Sequence, residues 1–324
     1  MKERVLSGIR ATGRLHIGNY IGALKKFLMK QEQGDECFFF IADYHTLTTE
    51  TDPDTLRQNI IEVAKDYLAA GIHPDRSALY RQSDVPELTE LSALIGNLMP
   101  VGELLRCTTY KEKVRQQPDN VNAGLLMYPV LMSADILGPK STVVPVGADQ
   151  KPHLEMCQNL AERFNNRYGE TFIIPKGESS IRVPSLSGSE KMSKSVDDGG
   201  SIVLAEPAES VEKKVRGAIT DPRRVRRNDP GEPNDCTVFT FHQHLSTPGE
   251  LAMIAPACRS AEIGCVDCKQ ILNKSIEAVL EPFREKRATL TNDDVEDVLA
   301  QGARQVRSIV QSTVNEVREK MGIG

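Results

Sequence analysis

The residues best suited to chemistry begin at Gly8. The run Gly8 to Ala23 reads Gly-Ile-Arg-Ala-Thr-Gly-Arg-Leu-His-Ile-Gly-Asn-Tyr-Ile-Gly-Ala and follows the apolar pair Val5-Leu6. Gly8 and Gly13 allow a tight turn, because neither carries a Cβ. Leu15, Tyr20, Ala23, Leu24, Phe27 and Leu28 then recur at intervals of three and four, the spacing of a helix. A strand thus turns into a helix whose first turn is His16-Ile17-Gly18-Asn19. Unpaired backbone N–H groups and the positive end of the helix dipole gather there, which suits a phosphate. His16 and Asn19 add donors, and Gly18 lets a flat base approach the backbone. A second stretch, Lys191-Met192-Ser193-Lys194-Ser195, lies in a loop between Pro184-Ser185-Leu186-Ser187-Gly188 and Asp197-Asp198-Gly199-Gly200. Its two lysines and clustered serines read as solvated loop or as a grip on an anion.

Two further groups stand out. Asp135 is the one acid in the mostly apolar segment Val121 to Gly138. Tyr128, Met132 and Asp135 fall at i, i+4 and i+7 and so share a helical face. A carboxylate in such surroundings is costly unless it finds a donor. It is either capped or ion-paired within the chain, or an acceptor for a ligand N–H. Cys236, Cys258, Cys265 and Cys268 form a C-x21-C-x6-C-x2-C array. Cys265-Val-Asp-Cys268 alone has redox readings, but four clustered cysteines read as a four-thiolate site. Spacing does not separate Zn²⁺ from an iron–sulfur cluster.

The elements that position these groups alternate. Cys37-Phe-Phe-Phe-Ile-Ala42 is a continuous apolar run, as in a buried parallel strand. The loop after it, Asp43-Tyr44-His45-Thr46, lies where α/β sheets place ligand groups. Asp54 to Ala70 has helical spacing and is capped by Gly71. Ser77 to Gln82 is the next strand; Leu88 to Leu98 and Val101 to Arg106 are helical, divided by Pro100. Val143-Val144-Pro145-Val146 is a strand ending in Gly147-Ala148-Asp149-Gln150, and Lys151 to Phe164 is a helix. This alternation predicts an α/β fold, a Rossmann-like doubly wound parallel sheet. Past Ser195 the texture turns acid-rich and helical, which predicts domains at 1–195 and 196–324, the second smaller and all-helical. Asp221-Pro-Arg-Arg-Val-Arg-Arg227 carries four arginines, a solvated loop, an ion-paired turn or a phosphate-contacting patch. His242 and His244 read as loop residues. Asp294 to Met321 is a long amphipathic stripe that needs a partner surface and is expected to pack back on the first domain.

Composition narrows the class. The chain has 324 residues, 40% hydrophobic and 26% charged, with net charge −5, seven cysteines and no Trp. No apolar run approaches the ~20 residues needed to span a bilayer, and the N-terminus lacks the apolar core of a signal peptide. A cytoplasmic location is expected, with no membrane partner and no DNA. A negative total means that nucleic acid would have to meet a local basic patch.

His16-Ile17-Gly18-Asn19 and Lys191-Met192-Ser193-Lys194-Ser195 resemble the HIGH and KMSKS signatures of class I aminoacyl-tRNA synthetases. The segments Met127 to Leu137, Val144 to Gln150 and Ala161 to Asn165 are similar to the substrate-pocket region of bacterial tryptophanyl-tRNA synthetases. Tyrosyl-tRNA synthetases, the nearest alternative, usually have Gln where Met132 stands; a thioether beside an acid suits an indole. The chain departs from the common pattern at Leu6, at Ala148 and in the turn Arg10-Ala11-Thr12.

The resemblance implies ATP-dependent activation of L-tryptophan with Mg²⁺, then transfer to tRNA(Trp), by a homodimer. It implies catalytic roles for Lys191, Lys194, His16 and Asn19. It places Arg10, Ala11, Thr12, Gly18, Gly147, Ala148, Asp149, Val183, Met192, Ser193 and Ser195 with those groups around ATP. It places Asp135, Tyr128, Met132, Gln150 and His45 around tryptophan. The cysteine array, preceded by Arg226 to Gly231, resembles that of a subset carrying a [4Fe–4S] cluster near the anticodon-binding region, with zinc as the alternative. Against this reading stands a tryptophan- or nucleotide-binding redox sensor that charges no tRNA. A weaker alternative is an RNA-binding module.

Overall fold

A computed structural model of the chain describes residues 2–49, 52–188, 192 and 199–324, apart from the side chain at position 148. Five strands form one sheet: β1 (Arg4–Ile9), β2 (Glu36–Ile41), β3 (Ser77–Arg81), β4 (Val143–Val146) and β5 (Lys176–Ser179). Their order is β3-β2-β1-β4-β5 and every neighbouring pair is parallel. The winding reverses at β1, so the chain is doubly wound as its strand–helix alternation predicts. β2 is buried along nearly its whole length, because helices cover both faces of such a sheet.

The described chain divides into two compact units. One comprises Met1–Gly13, Lys26–Ser180 and Thr291–Gly324; the other comprises Arg14–Lys25 and Ile181–Leu290. The first unit holds the sheet. At its carboxyl edge lie the residues after β1, after β2 (Asp43–Thr46), after β3 (Gln82–Asp84) and after β4. That edge, beside the switch in strand order, is where open α/β sheets bind ligands. The helix Ala123–Leu137 starts on Asn122, whose side chain accepts from the Leu125 N–H at 2.9 Å. Its interior Pro129 has no N–H to give the Leu125 carbonyl, and Ser133 Oγ donates to the Pro129 carbonyl at 2.8 Å.

The final helix, Asn292–Met321, also belongs to this unit. Thr291 and Asp294 form its capping box and Gly322, at φ 74°, ends it. Its apolar stripe, Val295, Leu299, Val306, Val310, Val314 and Val317, is buried against β3 and the helix Glu87–Gly96. Gly302 permits this approach: a Cβ there would stand 2.1 Å from the Leu79 carbonyl oxygen. Arg81–Glu296 at 2.7 Å and Arg307–Glu87 at 2.6 Å tie the flanks.

The second unit is helical beyond residue 207: Ala208–Gly217, Thr237–Leu245, Pro248–Arg259 and Cys265–Ala288. Residues before Lys25 join it through backbone pairing, Ile17 N–H to Ile202 O at 2.8 Å and Leu204 N–H to Leu15 O at 2.9 Å.

Three local expectations are corrected. Gly8 lies inside β1, and a Cβ there would strike the Phe40 ring at 2.4 Å; Gly13, at φ 101°, makes the turn. The helix after His16 passes through a π-helical segment, Tyr20–Leu24, before continuing as Lys25–Glu32. Gly22 lets that segment press on the Ile181 carbonyl, 2.7 Å from where its Cβ would be. His242 and His244 lie on a helix rather than in a loop. Among the described residues, no helix is long and apolar enough to cross a membrane.

Candidate active site

Asp135 is 1% exposed, and its helix delivers it to donors from the carboxyl ends of β2 and β3. Gln82 Nε2 donates to Oδ1 at 2.7 Å and to Oδ2 at 2.9 Å, and His45 Nε2 donates to Oδ2 at 2.8 Å. Three contacts leave about one of the carboxylate's four lone-pair sites open. Gln82 Oε1 and the Tyr80 hydroxyl are buried nearby without a hydrogen-bond partner. Burial, and then the Asp135 charge, push the Tyr80 phenol well above its ordinary range, so it stays protonated. Met132 packs against the core from the same helix. Sequence reasoning missed Gln82; its signal was its place directly after β3, equivalent to that of His45 after β2.

Next to the acid is a second, partly buried network around the buried His153. The Tyr128 ring meets the His45 ring edge-on at 6.3 Å and the His153 ring edge-on at 4.9 Å. The Tyr128 hydroxyl lies 2.5 Å from His153 Nε2 and 2.7 Å from Thr109 Oγ1, which is itself 2.5 Å from the same nitrogen. His153 Nδ1 is 2.8 Å from Gln150 Oε1, and Gln150 Nε2 donates to Asp149 Oδ2 at 3.0 Å. Neither Thr109 nor His153 stands out in the sequence. Tyr128, Met132, Asp135, Gln150 and His45 are thus brought together in one unit.

The turn after β1 is tied to the same edge. The Ala11 N–H donates to Thr46 Oγ1 at 2.9 Å, and Arg10 donates to Thr49 Oγ1. Burial lowers the Arg10 guanidinium somewhat, and Tyr128 opposes that. Thr12 N–H closes the turn on the Arg10 carbonyl at 2.9 Å. At Gly147 a Cβ would stand 2.5 Å from Asp149 Oδ1, so the close approach of backbone and carboxylate needs glycine.

In the second unit His16 and Asn19 form a capping box. His16 Nδ1 accepts from the Asn19 N–H at 3.2 Å, and Asn19 Oδ1 accepts from the His16 N–H at 3.0 Å. With Nδ1 an acceptor, the imidazole proton resides on Nε2, which is therefore a donor. Gly18 lies under this ring: a Cβ there would stand 2.9 Å from His16 Nδ1 and 3.3 Å from the Met192 Cβ. Met192 is buried and its N–H donates to the Val183 carbonyl at 3.0 Å. The helix start and Met192 therefore meet at Gly18. Lys191, Ser193, Lys194 and Ser195 lie outside the described residues, as does the Ala148 side chain.

The four cysteines also come together. Cys236, Cys258, Cys265 and Cys268 line one small cavity of about 20 Å³ with Arg224 and Asp221. Among the described residues, no three His, Cys, Asp or Glu side chains are arranged to hold a metal ion. Burial, and then the neighbouring thiols, push Cys268 up to about 12, so any metal group must displace its proton. His242 is buried, with Nε2 3.2 Å from the Cys268 carbonyl oxygen and 3.4 Å from its Sγ.

The arginine run forms the ion-paired turn that is one of the readings its sequence allows. Arg223 pairs with Asp221 and Asp235, at 2.9 and 2.5 Å. Arg224 donates to the Ile263 and Arg227 carbonyls, each at 3.0 Å, and approaches Cys258 Sγ at 3.7 Å. Arg227 donates to the Ala261 carbonyl at 2.9 Å and the Glu262 carbonyl at 3.1 Å. Two of the four arginines, Arg224 and Arg227, thus hold the turn between Cys258 and Cys265, including Ala261 at φ 59°.

Comparison with known proteins places this arrangement. The sequence pattern of the family described as tRNA synthetases class I (W and Y) matches residues 2–281. The chain is 42% identical to the tryptophan--tRNA ligase of Deinococcus radiodurans, over 99% of this chain and 98% of that protein. It is 41% identical to that of Thermotoga maritima, over 99% of each. The crystal structure of the Campylobacter jejuni tryptophanyl-tRNA synthetase complexed with ADP and tryptophan matches with a TM-score of 0.86. The identity is 33%, and the match covers 99% of this chain and 100% of that one. From its sheet order, its two signature stretches and likeness over its full length, the chain belongs to the bacterial tryptophanyl-tRNA synthetases of class I.

Proposed function

We propose that the protein activates L-tryptophan with ATP and passes the aminoacyl group to tRNA(Trp). The observation that carries the amino-acid choice is the buried Asp135, held by Gln82 and His45 with one acceptor site to spare. An indole offers one N–H and no acceptor, and Met132 beside the acid offers soft apolar surface.

In the first step an oxygen of the tryptophan carboxylate attacks the α-phosphorus, and the bond to the bridging oxygen of pyrophosphate breaks. The nucleophile already carries its charge, so no protein base is needed. The chain's work is positioning and stabilising the charge that builds on pyrophosphate. His16 donates from Nε2, Asn19 and Thr12 add donors, and Lys191 and Lys194 act on the β and γ phosphates with Ser193 and Ser195. Arg10, Ala11, Gly18, Gly147, Ala148, Asp149, Val183 and Met192 surround the nucleotide. Mg²⁺ bound with ATP neutralises the triphosphate. In the second step a ribose hydroxyl at the tRNA 3′ end attacks the adenylate carbonyl and AMP leaves. In this reading residues 1–195 are catalytic and 196–324 bind the anticodon.

For the four cysteines, which line one cavity, the reading is a [4Fe–4S] cluster, with zinc as the alternative. Such a cluster would be held by Cys236, Cys258, Cys265 and Cys268. The exposed apolar residues Val101, Leu105, Val121 and Met127 are apolar surface that a homodimer would cover. We place the enzyme in the cytoplasm.

Tryptophan-dependent exchange of pyrophosphate into ATP, followed by charging of tRNA(Trp), tests the function. Exchange that answers to tyrosine and not to tryptophan would overturn it. Anaerobic purification with an absorbance scan and metal analysis tests the cluster: a colourless, zinc-loaded protein refutes it. Sedimentation at micromolar concentration tests the dimer, and a purely monomeric protein refutes it.

A further inference from the structure

We propose that His153 is a positioning residue that fixes Tyr128 and Gln150 as hydrogen-bond acceptors toward the pocket, and so makes the amino end of the site selective for an ammonium group. This rests on the tryptophan reading above and deepens it.

The argument is one of proton counting. Gln150 Oε1 can only accept, so the 2.8 Å contact requires a proton on His153 Nδ1. The carboxamide is not reversed, because its Nε2 donates to Asp149 Oδ2 at 3.0 Å. His153 is 1% exposed, and burial lowers it to about 4, so the ring carries one proton only. Nε2 is therefore bare and accepts. Two hydroxyls compete for it, Tyr128 and Thr109, each at 2.5 Å, and they lie 2.7 Å apart. If Tyr128 donates to Nε2, Thr109 donates to the Tyr128 oxygen or toward Cys107 Sγ, 3.0 Å away; if Thr109 donates to Nε2, the Tyr128 hydrogen has the Thr109 oxygen at 2.7 Å. In both arrangements the network offers the Tyr128 hydrogen an acceptor.

What remains for a ligand follows directly. The Tyr128 oxygen keeps at least one lone pair and no hydrogen, and Gln150 Oε1 keeps its second lone pair. The Tyr128 ring lies edge-on to His45, which in turn holds Asp135. The acceptor pair is thus the neighbour of the acid that takes the indole N–H, at the end left for the α-substituent. An ammonium, with three donors and no acceptor, satisfies it. A hydroxyl supplies one donor and an unsubstituted carbon none, so one or both of these partly buried acceptors lose a partner, which a site of this kind penalises. His153 does not touch substrate; it sets which way the hydrogens of its neighbours point.

Two measurements test this on the full-length protein. The first is the imidazole tautomer, read from ¹⁵N–¹H correlation spectra of the protein's six histidines. His153 is expected with Nδ1 protonated and Nε2 bare, the rarer form in water. Finding the proton on Nε2 overturns the proposal. The second uses pyrophosphate exchange, comparing the KM for tryptophan with the inhibition constant of its α-hydroxy analogue, indole-3-lactate. His153→Phe is expected to raise the tryptophan KM about tenfold or more, leave the ATP KM unchanged, and narrow the ammonium-over-hydroxyl preference by a similar factor. His153→Gln, which can still accept from Tyr128, is expected to restore most of the preference. A His153→Phe protein with the parent's preference overturns the inference while the tryptophan reading stands. A parent protein without tryptophan-dependent exchange overturns that reading instead, and the tautomer measurement still judges the network.

Discussion

Replacing Asp135 by Asn isolates what its charge does, because shape and volume are kept. The carboxylate receives three donor contacts, at 2.7 and 2.9 Å from Gln82 and at 2.8 Å from His45. An amide nitrogen at the Oδ2 position would face both donors, so the new NH₂ group takes the Oδ1 position. There it meets only Gln82. The Gln82 carboxamide then turns over and presents Oε1, which has no partner among the described residues of the parent protein. Its two donor contacts are replaced by one acceptor contact, and Oε1 then also faces the remaining Asn oxygen, so the folded state is expected to lose about 1–3 kcal/mol. Ligand binding weakens as well. A hydrogen bond to a charged group contributes about 1.5–3 kcal/mol and a neutral one about 0.5–1.5. The difference of roughly 1–2 kcal/mol is a 5- to 30-fold weaker hold on tryptophan. The protein contains no Trp, so indole fluorescence of the ligand reports binding against a low background. Pyrophosphate exchange then gives the KM values for tryptophan and ATP separately. Asp135→Asn is expected to raise the first, leave the second, and reduce the preference for tryptophan over its N-methyl-indole analogue. Retained preference, or an equal rise in both KM values, would refute the assignment of Asp135 as the indole acceptor.

Further expectations concern other parts of the molecule. Gly302→Ala should destabilise: the helix gains about 1 kcal/mol of propensity, but a Cβ 2.1 Å from a strand carbonyl has no rotamer to relieve it, and overpacking costs about 1–3 kcal/mol or more. A melting temperature equal to or above the parent's would contradict the packing of the last helix on β3. Lys194→Ala should slow pyrophosphate exchange by ~10²–10³ with the tryptophan affinity kept; unchanged exchange removes Lys194 from the mechanism. Burial holds His153 below its ordinary 6.5, at about 4. Between those values the unfolded chain binds the extra proton and the folded chain does not, so stability should fall as pH drops through that window. Denaturant titrations of parent and His153→Gln check this; equal slopes in both would mean that another group is responsible.

Much of the scaffold is written locally. Cys37-Phe-Phe-Phe-Ile-Ala42 is apolar throughout because β2 is covered on both faces, and the strand–helix alternation implies the parallel sheet. β5 escapes such reading: Lys176-Gly-Glu-Ser is an edge strand, mostly exposed, and carries no periodic signal. Asp135 announces itself as a costly acid in an apolar helix, and the His16-to-Asn19 turn as a phosphate site. Their use as drawn here depends on partners that local pattern does not contain. Gln82 and His45 come from the ends of other strands, and Thr109 joins His153 across 44 positions. The arginine run looks like a nucleic-acid patch, yet carbonyls 34 to 39 residues away claim two of its guanidinium groups.

From its residue order alone the chain declares the period of each element, the isolated acid, the clustered thiols and the two signature stretches. Those are properties of neighbours along the backbone, where spacing and polarity act directly. Which donor meets which acceptor, and which hydrogen points inward, is set only when the sheet brings distant strand ends to one edge and water is removed. A buried polar group must then take whatever partner folding places within reach.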